Sequence, residues 1–405
     1  MIPVTEALAR VLAPFSPLAA ETIGIDRAVG RVLAAPVIAR LSQPPAAVSA
    51  MDGYAVRGPD IGQLPARLRV TSTVPAGAAP DVALKGGDAA RIFTGGILPA
   101  GADTIVIQEN CDRDGEFVIV REGSNTPGQH VRAGGNDFRQ GEVGLAPGRL
   151  LSARDIALAA AMNWPMLSVT RKPRVALLST GDELQHPGEP LGPAQIIASN
   201  GIGLAAFVTA CGAEPINLGI ARDNLPDLYR ALDGARGADV LVTTGGASVG
   251  ELDLIQQALK DKGAKLDFWK IAMRPGKPVM FGAVGTLPVL GLPGNPVSAL
   301  VTATLFLRPI IQRLLGQNGI ETAPAFARLG SALKANDQRQ DYLRATLSRG
   351  ADGGLVATPF PKQDSAMLSL IAKADALIIR PPHAPAANEG DATEILPLDG
   401  GCLSI

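Results

Sequence analysis

The strongest constraint on the fold lies beyond Pro173, where four apolar runs alternate with helical stretches. RVALLST, EPINLGI, DVLVTTGG and PVLGLP read as strands, and helices are expected after Asn200, Asn224, Ser248 and Asn295. Such alternation predicts a largely parallel sheet with crossover helices. In an open α/β sheet, ligands occupy the crevice beyond the carboxyl ends of the strands. The chain places unusual residues there four times. Ser179, Thr180, Gly181, Asp182 and Glu183 follow the first run and Asp223 the second; Thr244, Gly245, Gly246 and Ser248 follow the third, and Pro293, Gly294, Asn295 and Pro296 the fourth.

The third of these stretches, DVLVTTGGASVGELD from Asp239 to Asp253, combines a strand, a glycine turn and a helix start. Unpartnered backbone N–H groups and the helix dipole favour an oxyanion at such a place. Gly245 and Gly246 would let the backbone approach it without a Cβ in the way. Taken alone, the turn reads equally well as a tight connection that binds nothing. Between the third and fourth runs, WKIAMRPGKPVMFG gathers Lys270, Arg274 and Lys277. Three cations beside prolines suit an oxyanion pocket, and they also suit a solvated basic loop.

Ahead of this region, a helix is expected over Thr5 to Leu12 and a second short one over Asp26 to Val29. MDGYAV places Asp52 on a loop before a strand, where it could simply cap a turn. From Arg67 to Leu151, short β-prone runs between Gly/Pro clusters predict a small β-rich module. Its loops TGGILPAG and RAGGNDF carry Thr94 and Asp137, and both also read as ordinary hairpin ends. Ser152 is a good N-cap for an Ala-rich helix reaching about Met162. After Leu315-Gly316, short strands recur at sandwich or barrel spacing. Arg344 and Ser365 lie among them and read, by themselves, as surface residues. The fold class expected is α/β multidomain. Residues 1–172 form N-terminal β-rich modules and a linker, with the β-rich insertion at about 46–150; residues 173–316 form an α/β domain and 317–405 a final β domain.

Composition removes several function classes. Against 38 acidic residues stand 37 basic ones, for a net charge of −1, so no positive excess exists to drive binding to nucleic acid or an anionic membrane. Aromatic residues at 4% leave few base-stacking surfaces. Cys111, Cys211 and Cys402 are far apart, which gives neither a disulfide framework nor a thiolate metal site. His130, His186 and His383 lie in different segments, so a Ser-His-Asp triad or a histidine metal cluster has no support. The N-terminus lacks the order of a signal peptide, and the apolar run near Val297 to Leu307 is expected to be too short to span a bilayer. A soluble, cytoplasmic protein is expected. The acids Glu183, Asp223 and Asp253, with Asp52 and Asp137, are oxygen ligands suited to Mg²⁺ alongside a substrate phosphate.

MDGYAV, IFTGG, STGDEL, TTGGASVGELD, MRPGKP and GLPGNPVSA occur in this order over most of the chain. Together they resemble the molybdopterin molybdenumtransferases, the MoeA type also found as the E domain of gephyrin. That resemblance implies a homodimeric, Mg²⁺-dependent enzyme converting adenylylated molybdopterin and molybdate into molybdenum cofactor, with release of AMP. It also implies a molybdopterin-binding three-layer α/β domain and a C-terminal β-barrel. Other molybdenum-cofactor biosynthesis proteins would be its partners. By position, the family's catalytic set falls on Asp52, Thr94, Asp137, Glu183, Asp223 and Asp253, with Glu183, Asp223 and Asp253 holding the metal. Thr244 to Ser248 would face the nucleotide-pterin ligand. Ser248, Arg274, Lys277, Arg344 and Ser365 resemble the molybdate-side groups, and Pro293 and Pro296 shape the loop facing them. Arg274 departs from the Lys usual there, and QDSAM around Ser365 departs from a Gly-containing turn. Two other readings share features of this pattern: a molybdopterin adenylyltransferase, which lacks the MDGYAV module and the barrel, and a gephyrin-like scaffold, which would not need the acids.

Overall fold

A computed structural model describes residues 1–245, 254–319 and 325–398. Helix α1 (Val4–Leu12) buries Val4, Ala7 and Val11, spaced three and four residues apart, against the central core. The second helix expected at Asp26 to Val29 is instead a single 3₁₀ turn, Ile25–Arg27. Preceding it, Ala20–Gly24 pairs antiparallel with Met166–Thr170; after it, Gly30 turns the chain at φ 73°, leaving room for no longer helix.

The β-rich module is one six-stranded sheet. Its strands are β1 (Gly53–Val56), β2 (Ala66–Val74), β3 (Asp88–Ile92), β4 (Thr104–Ile107), β5 (Cys111–Asp114) and β6 (Phe117–Val120). They lie in the order β4-β1-β3-β2-β6-β5, with β2 and β3 parallel and the other pairs antiparallel. Glycine is required at Gly53, where a Cβ would meet the Val106 carbonyl oxygen at 2.0 Å, so Asp52 enters the sheet beside a strand packed tightly on β4. The linking helix α2 (Ala153–Ala161) begins at Ser152, as the sequence predicts. Both the N–H and the hydroxyl of Ser152 donate to Asp155 Oδ2 at 2.8 Å, and Arg149 Nε donates to Oδ1 at 2.7 Å.

Beyond it the predicted alternation is realised. In chain order come β7 (Arg174–Thr180), α3 (Ser199–Ala210), β8 (Glu214–Ala221), α4 (Leu225–Gly234), β9 (Val240–Thr244), α5 (Leu254–Asp261), β10 (Ala264–Phe268), β11 (Met280–Val284), β12 (Leu287–Leu292) and α6 (Pro296–Leu315). The sheet order is β8-β7-β9-β12-β11-β10; the first four strands are parallel, and β11 and β10 extend the edge antiparallel. One face presents Val175, Leu177, Val242 and Leu290 to α1, α3 and α6. The other presents Ala176, Leu178, Leu241 and Val289 to α4 and α5. Burial on both faces explains why these strands read as continuous apolar runs.

Helix α6 corrects one expectation. It runs unbroken for 20 residues through a π turn at Ala303–Leu307, long and apolar enough by composition to cross a membrane. Its hydroxyls do not interrupt it, because Thr302 Oγ1 donates to the Ser298 carbonyl at 2.7 Å and Thr304 Oγ1 to that of Leu300 at 2.9 Å. Within its most apolar 18-residue window 67% of the residues are buried in the core, which gives the helix a packing role.

The last strands are β13 (Ala325–Leu329), β14 (Gln340–Arg349), β15 (Leu355–Pro359), β16 (Ala376–Arg380) and β17 (Ala392–Pro397). They run in the order β14-β15-β13-β17-β16, and β14 pairs with β16 to close a five-stranded barrel. Closure is possible because β14 is ten residues long: Asp341 to Ala345 pair with β16, and Ala345 to Arg349 pair with β15.

Burial alone would raise the Asp155 carboxyl, but the Ser152 donors and Arg149 more than reverse it and leave it below its ordinary value. A carboxylate depressed in the folded state stabilises above its unfolded pKa and loses that contribution as pH falls through the folded one. Asp155→Asn is therefore expected to cost about 1–2 kcal/mol at pH 7. In urea titrations, the gap to wild type should shrink steadily below about pH 4.

Candidate functional site

The parallel strands β7, β9 and β12 and the end of β8 open onto one cleft of about 780 Å³. Ser179, Thr180, Gly181 and Glu183 line it from the β7 end, Asp223 from the β8 end, Thr244 and Gly245 from β9, and Pro293, Gly294, Asn295 and Pro296 from β12. All four predicted strand-end groups thus converge. Further walls come from residues to which the sequence assigned no site role: Leu184, Ile196 to Asn200, Leu254 and Ile255 of α5, Pro278, and Ala366 of the barrel.

Local bonding sets the rim. Ser179, Thr180 and Thr244 are buried at 6%, 5% and 4% exposure, and Thr244 Oγ1 donates to Ser179 Oγ at 3.2 Å. Gly245 has φ 90°, and a Cβ there would meet the Thr180 carbonyl oxygen at 2.5 Å. Asn200 Nδ2 donates to the Gly294 carbonyl at 2.6 Å, tying the α3 start to the loop after β12. Asn295 Nδ2 donates to Ser365 Oγ at 2.9 Å, and the Val297 N–H donates to the Ser365 carbonyl at 3.1 Å. The barrel is thereby fastened to the start of α6.

Acids gather at the β7 and β8 ends. The Asp223 N–H donates to Asp182 Oδ1 at 3.1 Å, while Arg222 Nη1 donates to the Asp182 and Leu184 carbonyls at 2.8 and 3.3 Å. Burial raises the Asp223 carboxyl, and the nearby Asp182 and Glu183 charges push it the same way. Negative charge is therefore concentrated there, and the neighbouring Arg222 guanidinium is directed at the Asp182 and Leu184 carbonyls. Asp182, expected from the sequence only as one of the residues after the first strand, is part of this cluster. Among the described residues, no three His, Cys, Asp or Glu side chains gather as a complete metal site.

Arg344 corrects its sequence reading as a surface residue, because it is 1% exposed. Burial lowers the pKa of its guanidinium, and Asp364 acts against that change. Its Nη2 donates to the Asp364 carbonyl at 3.1 Å, and its N–H donates to Gln363 Oε1 at 3.0 Å. Arg344 Nε is buried with no partner among the described residues. Ser365 is half-buried and occupies the same loop, one residue before Ala366 of the cleft wall.

The basic segment is placed otherwise than expected. Lys270, Arg274 and Lys277 are not among the cleft-lining residues; Pro278 is the segment's contribution. Arg274 pairs with Asp341 and, at 3.4 Å, with Asp337, beside a second cleft of about 410 Å³ against the barrel. The reason is backbone pairing: Met273–Arg274 runs parallel to Gln340–Asp341 and directs this arginine to the barrel edge. The carbonyl of Lys270 accepts from the Ile2 N–H, and that of Lys277 from the Ile271 and Val279 N–H groups. Lys277 is exposed.

Asp52, Thr94 and Asp137 do not line the cleft within this chain. Asp52 Oδ1 accepts from the N–H and hydroxyl of Thr94 at 2.7 and 2.8 Å. The Thr94 N–H, then its hydroxyl, and the Arg91 charge hold the Asp52 carboxyl below its ordinary value against slight burial. Asp137 is exposed on a loop whose N–H donates to the Gln43 carbonyl at 2.9 Å. Gly246, Ser248 and Asp253 lie outside the described residues.

Three family models match the chain in succession. The one described as the MoeA N-terminal region (domain I and II) matches residues 2–163, "Probable molybdopterin binding domain" matches 176–313, and the MoeA C-terminal region (domain IV) matches 327–398. A molybdopterin molybdenumtransferase of Nostoc sp. is 40% identical over 81% of this chain and 77% of its own length. That of Haemophilus influenzae is 32% identical over 95% of both. Among solved structures, a molybdopterin biosynthesis moea protein from Pyrococcus horikosii is similar with a TM-score of 0.86 and 31% identity, covering 99% of this chain and 100% of that one.

The close approach at Gly245 yields a stability test with an internal control. Gly219 also has positive φ, at 80°, but nothing lies near its missing Cβ. Gly245→Ala carries both backbone strain and a clash with Thr180, so it should destabilise by clearly more than the roughly 1 kcal/mol expected for Gly219→Ala. Equal losses in denaturant midpoint would show that the β7–β9 approach contributes nothing.

Proposed function

Because this chain belongs to the MoeA family of molybdopterin molybdenumtransferases, transferases of molybdenum cofactor biosynthesis, we propose that it inserts molybdenum from molybdate into adenylylated molybdopterin with Mg²⁺-dependent release of AMP. The observation that carries this reading is the cleft itself, which sets acids at the β7 and β8 ends beside glycine-lined turns at the β9 and β12 ends. Phosphate and acids repel each other unless a cation stands between them.

The donor set fits Mg²⁺. It is oxygen only, the raised Asp223 carboxyl marks negative charge that a cation would relieve, and Mg²⁺ takes one or two carboxylates with phosphate and water. Glu183 and Asp223, with Asp253, would hold it. Bound there, Mg²⁺ would neutralise phosphate charge next to the bond that breaks. The chain's own residues supply position. Gly245 and Gly294 give backbone access, Ser179, Thr180 and Thr244 offer hydroxyls at the floor, and Pro293 and Pro296 stiffen the loop that Asn295 joins to Ser365. Among the described residues the buried Arg344 Nε–H has no partner, which would suit an oxyanion such as molybdate on the Ser365 side. Lys277 and Arg274 would add charge to that side, Arg274 only after leaving Asp341. Lys270 would act at longer range.

Asp52, Thr94 and Asp137 are read as reaching the cleft from a second subunit of a cytoplasmic homodimer. The motivation is that they are accessible and sit on a different module from the rim. Handover to other molybdenum-cofactor biosynthesis proteins would follow. The matches over residues 2–163 and 327–398 speak against the adenylyltransferase alternative, which lacks both regions.

Purified protein given adenylylated molybdopterin, Mg²⁺ and molybdate should release AMP. Glu183→Ala should fold normally and slow that release by on the order of 100-fold; an unchanged rate would sink the assigned role. Mixing Asp52→Ala with Asp253→Ala subunits tests sharing between protomers. Exchanged heterodimers should recover activity at one of two sites, and no recovery would count against a shared site.

A further inference from the structure

Arg91, near the end of β3, has no part in the transfer described above, yet its side chain ties together the segments that carry Asp52. Its Nη1 donates to the Gly53 carbonyl at 2.8 Å and reaches that of Ile92 at 3.5 Å. Its Nη2 donates to Gln108 Oε1 at 2.6 Å. Gln108 in turn donates its N–H to the Asp52 carbonyl at 3.1 Å. The guanidinium carbon also stands 4.6 Å from the Phe93 ring centroid and 5.3 Å from that of Tyr54.

These contacts surround the Asp52–Thr94 pair. Gly53 and Tyr54 follow Asp52, and Ile92 and Phe93 precede Thr94. One planar, forked cation therefore fixes both backbones on either side of the bonds that Thr94 makes to Asp52 Oδ1. Thr94 uses Oδ1 twice, which leaves chemistry by Asp52 to Oδ2. A lysine could supply the charge, but a single ammonium has no planar fork to match the Gly53 carbonyl, the Gln108 amide and two rings together.

We infer that Arg91 is the positioning residue of the Asp52–Thr94 pair, holding the Asp52 loop in the geometry the transfer needs. It acts through neighbours of Asp52 and through charge, without touching substrate. The inference rests on the reading of Asp52 as a functional group, and the experiment separates the two.

The full-length protein would be assayed for AMP release as wild type, Asp52→Asn, Arg91→Met, Arg91→Lys and the Asp52→Asn/Arg91→Met double variant. Arg91→Met should lower kcat by about 10- to 100-fold with KM for both substrates unchanged, since a misplaced group costs rate without altering binding at the strand rim. Arg91→Lys should restore part of the loss, and the double variant should be no slower than Asp52→Asn alone. A carbon-13 titration of the Asp52 carboxyl gives a readout independent of activity. Thr94 and Arg91 are the groups acting on that carboxyl, so Arg91→Met should move its midpoint upward. If Arg91→Met does not fold, Gln108→Leu removes only the outer arm and should give a smaller fall in kcat. Full activity of Asp52→Asn would overturn the underlying reading of Asp52. A slow Asp52→Asn beside normal Arg91→Met or Gln108→Leu, an unmoved titration midpoint, or losses that multiply in the double variant would each overturn the role of Arg91.

Discussion

Parallel strand pairing is the constraint on which the rest of this structure depends. The register sets Ser179 beside Thr244, Thr244 beside Leu292, and Thr180 beside Ala221, so four strands finish at nearly one level. Each following loop must then leave from the same edge, and a cleft forms without any segment being bent out of its path. The arrangement demands that polar residues be buried where the strands end. Burying a hydroxyl without a partner is costly, and the bond between Thr244 and Ser179 meets that demand for two of them. Thr243 Oγ1 remains without a partner among the described residues, one position from the cleft-lining Thr244.

The barrel depends on this rim in turn. It touches the cleft through Ala366, in a loop that Arg344 bonds at Gln363 and Asp364 and Asn295 bonds at Ser365. A buried arginine is unfavourable in a domain core unless its donors are used. Here the cost falls on Arg344, whose Nη2 donates to the Asp364 carbonyl and whose Nε has no partner among the described residues. The proposed oxyanion role and the demands of a buried core would pull in opposite directions at Arg344. Such conflicts are where local rules are expected to fail in favour of a site.

Much of this was legible in the residues. Apolar runs of strand length, separated by capped helical stretches, specify a doubly covered parallel sheet, so the convergence of Ser179–Glu183, Asp223, Thr244–Gly245 and Pro293–Pro296 follows from topology alone. Ser152 announced its helix because an N-cap is a local chemical requirement. Long-range placement was not legible. The burial of Arg344 follows from barrel closure, and closure depends on β14 pairing with strands on both sides, which spacing cannot reveal. Arg274 looked like an oxyanion ligand because Lys270 and Lys277 are near in sequence. Its pairing with Asp341, 67 positions away, is a tertiary event. Asp182 stood among the residues after the first strand without an assigned role, because the bond its carboxylate accepts from the Asp223 N–H carries no sequence pattern. The apolar α6 run looks too short in sequence because its threonines look polar, whereas in a helix they bond to their own backbone.

The central claim is that the rim of the parallel sheet is where substrate binds. The most direct measurement is a crystal structure of the protein soaked with adenylylated molybdopterin. The account predicts difference density in the cleft between Thr180–Glu183, Asp223, Gly245 and Gly294, with the phosphates toward the acids and the dithiolene end toward Ser365. Density confined to the second cleft beside Arg274 and Asp341 would contradict it.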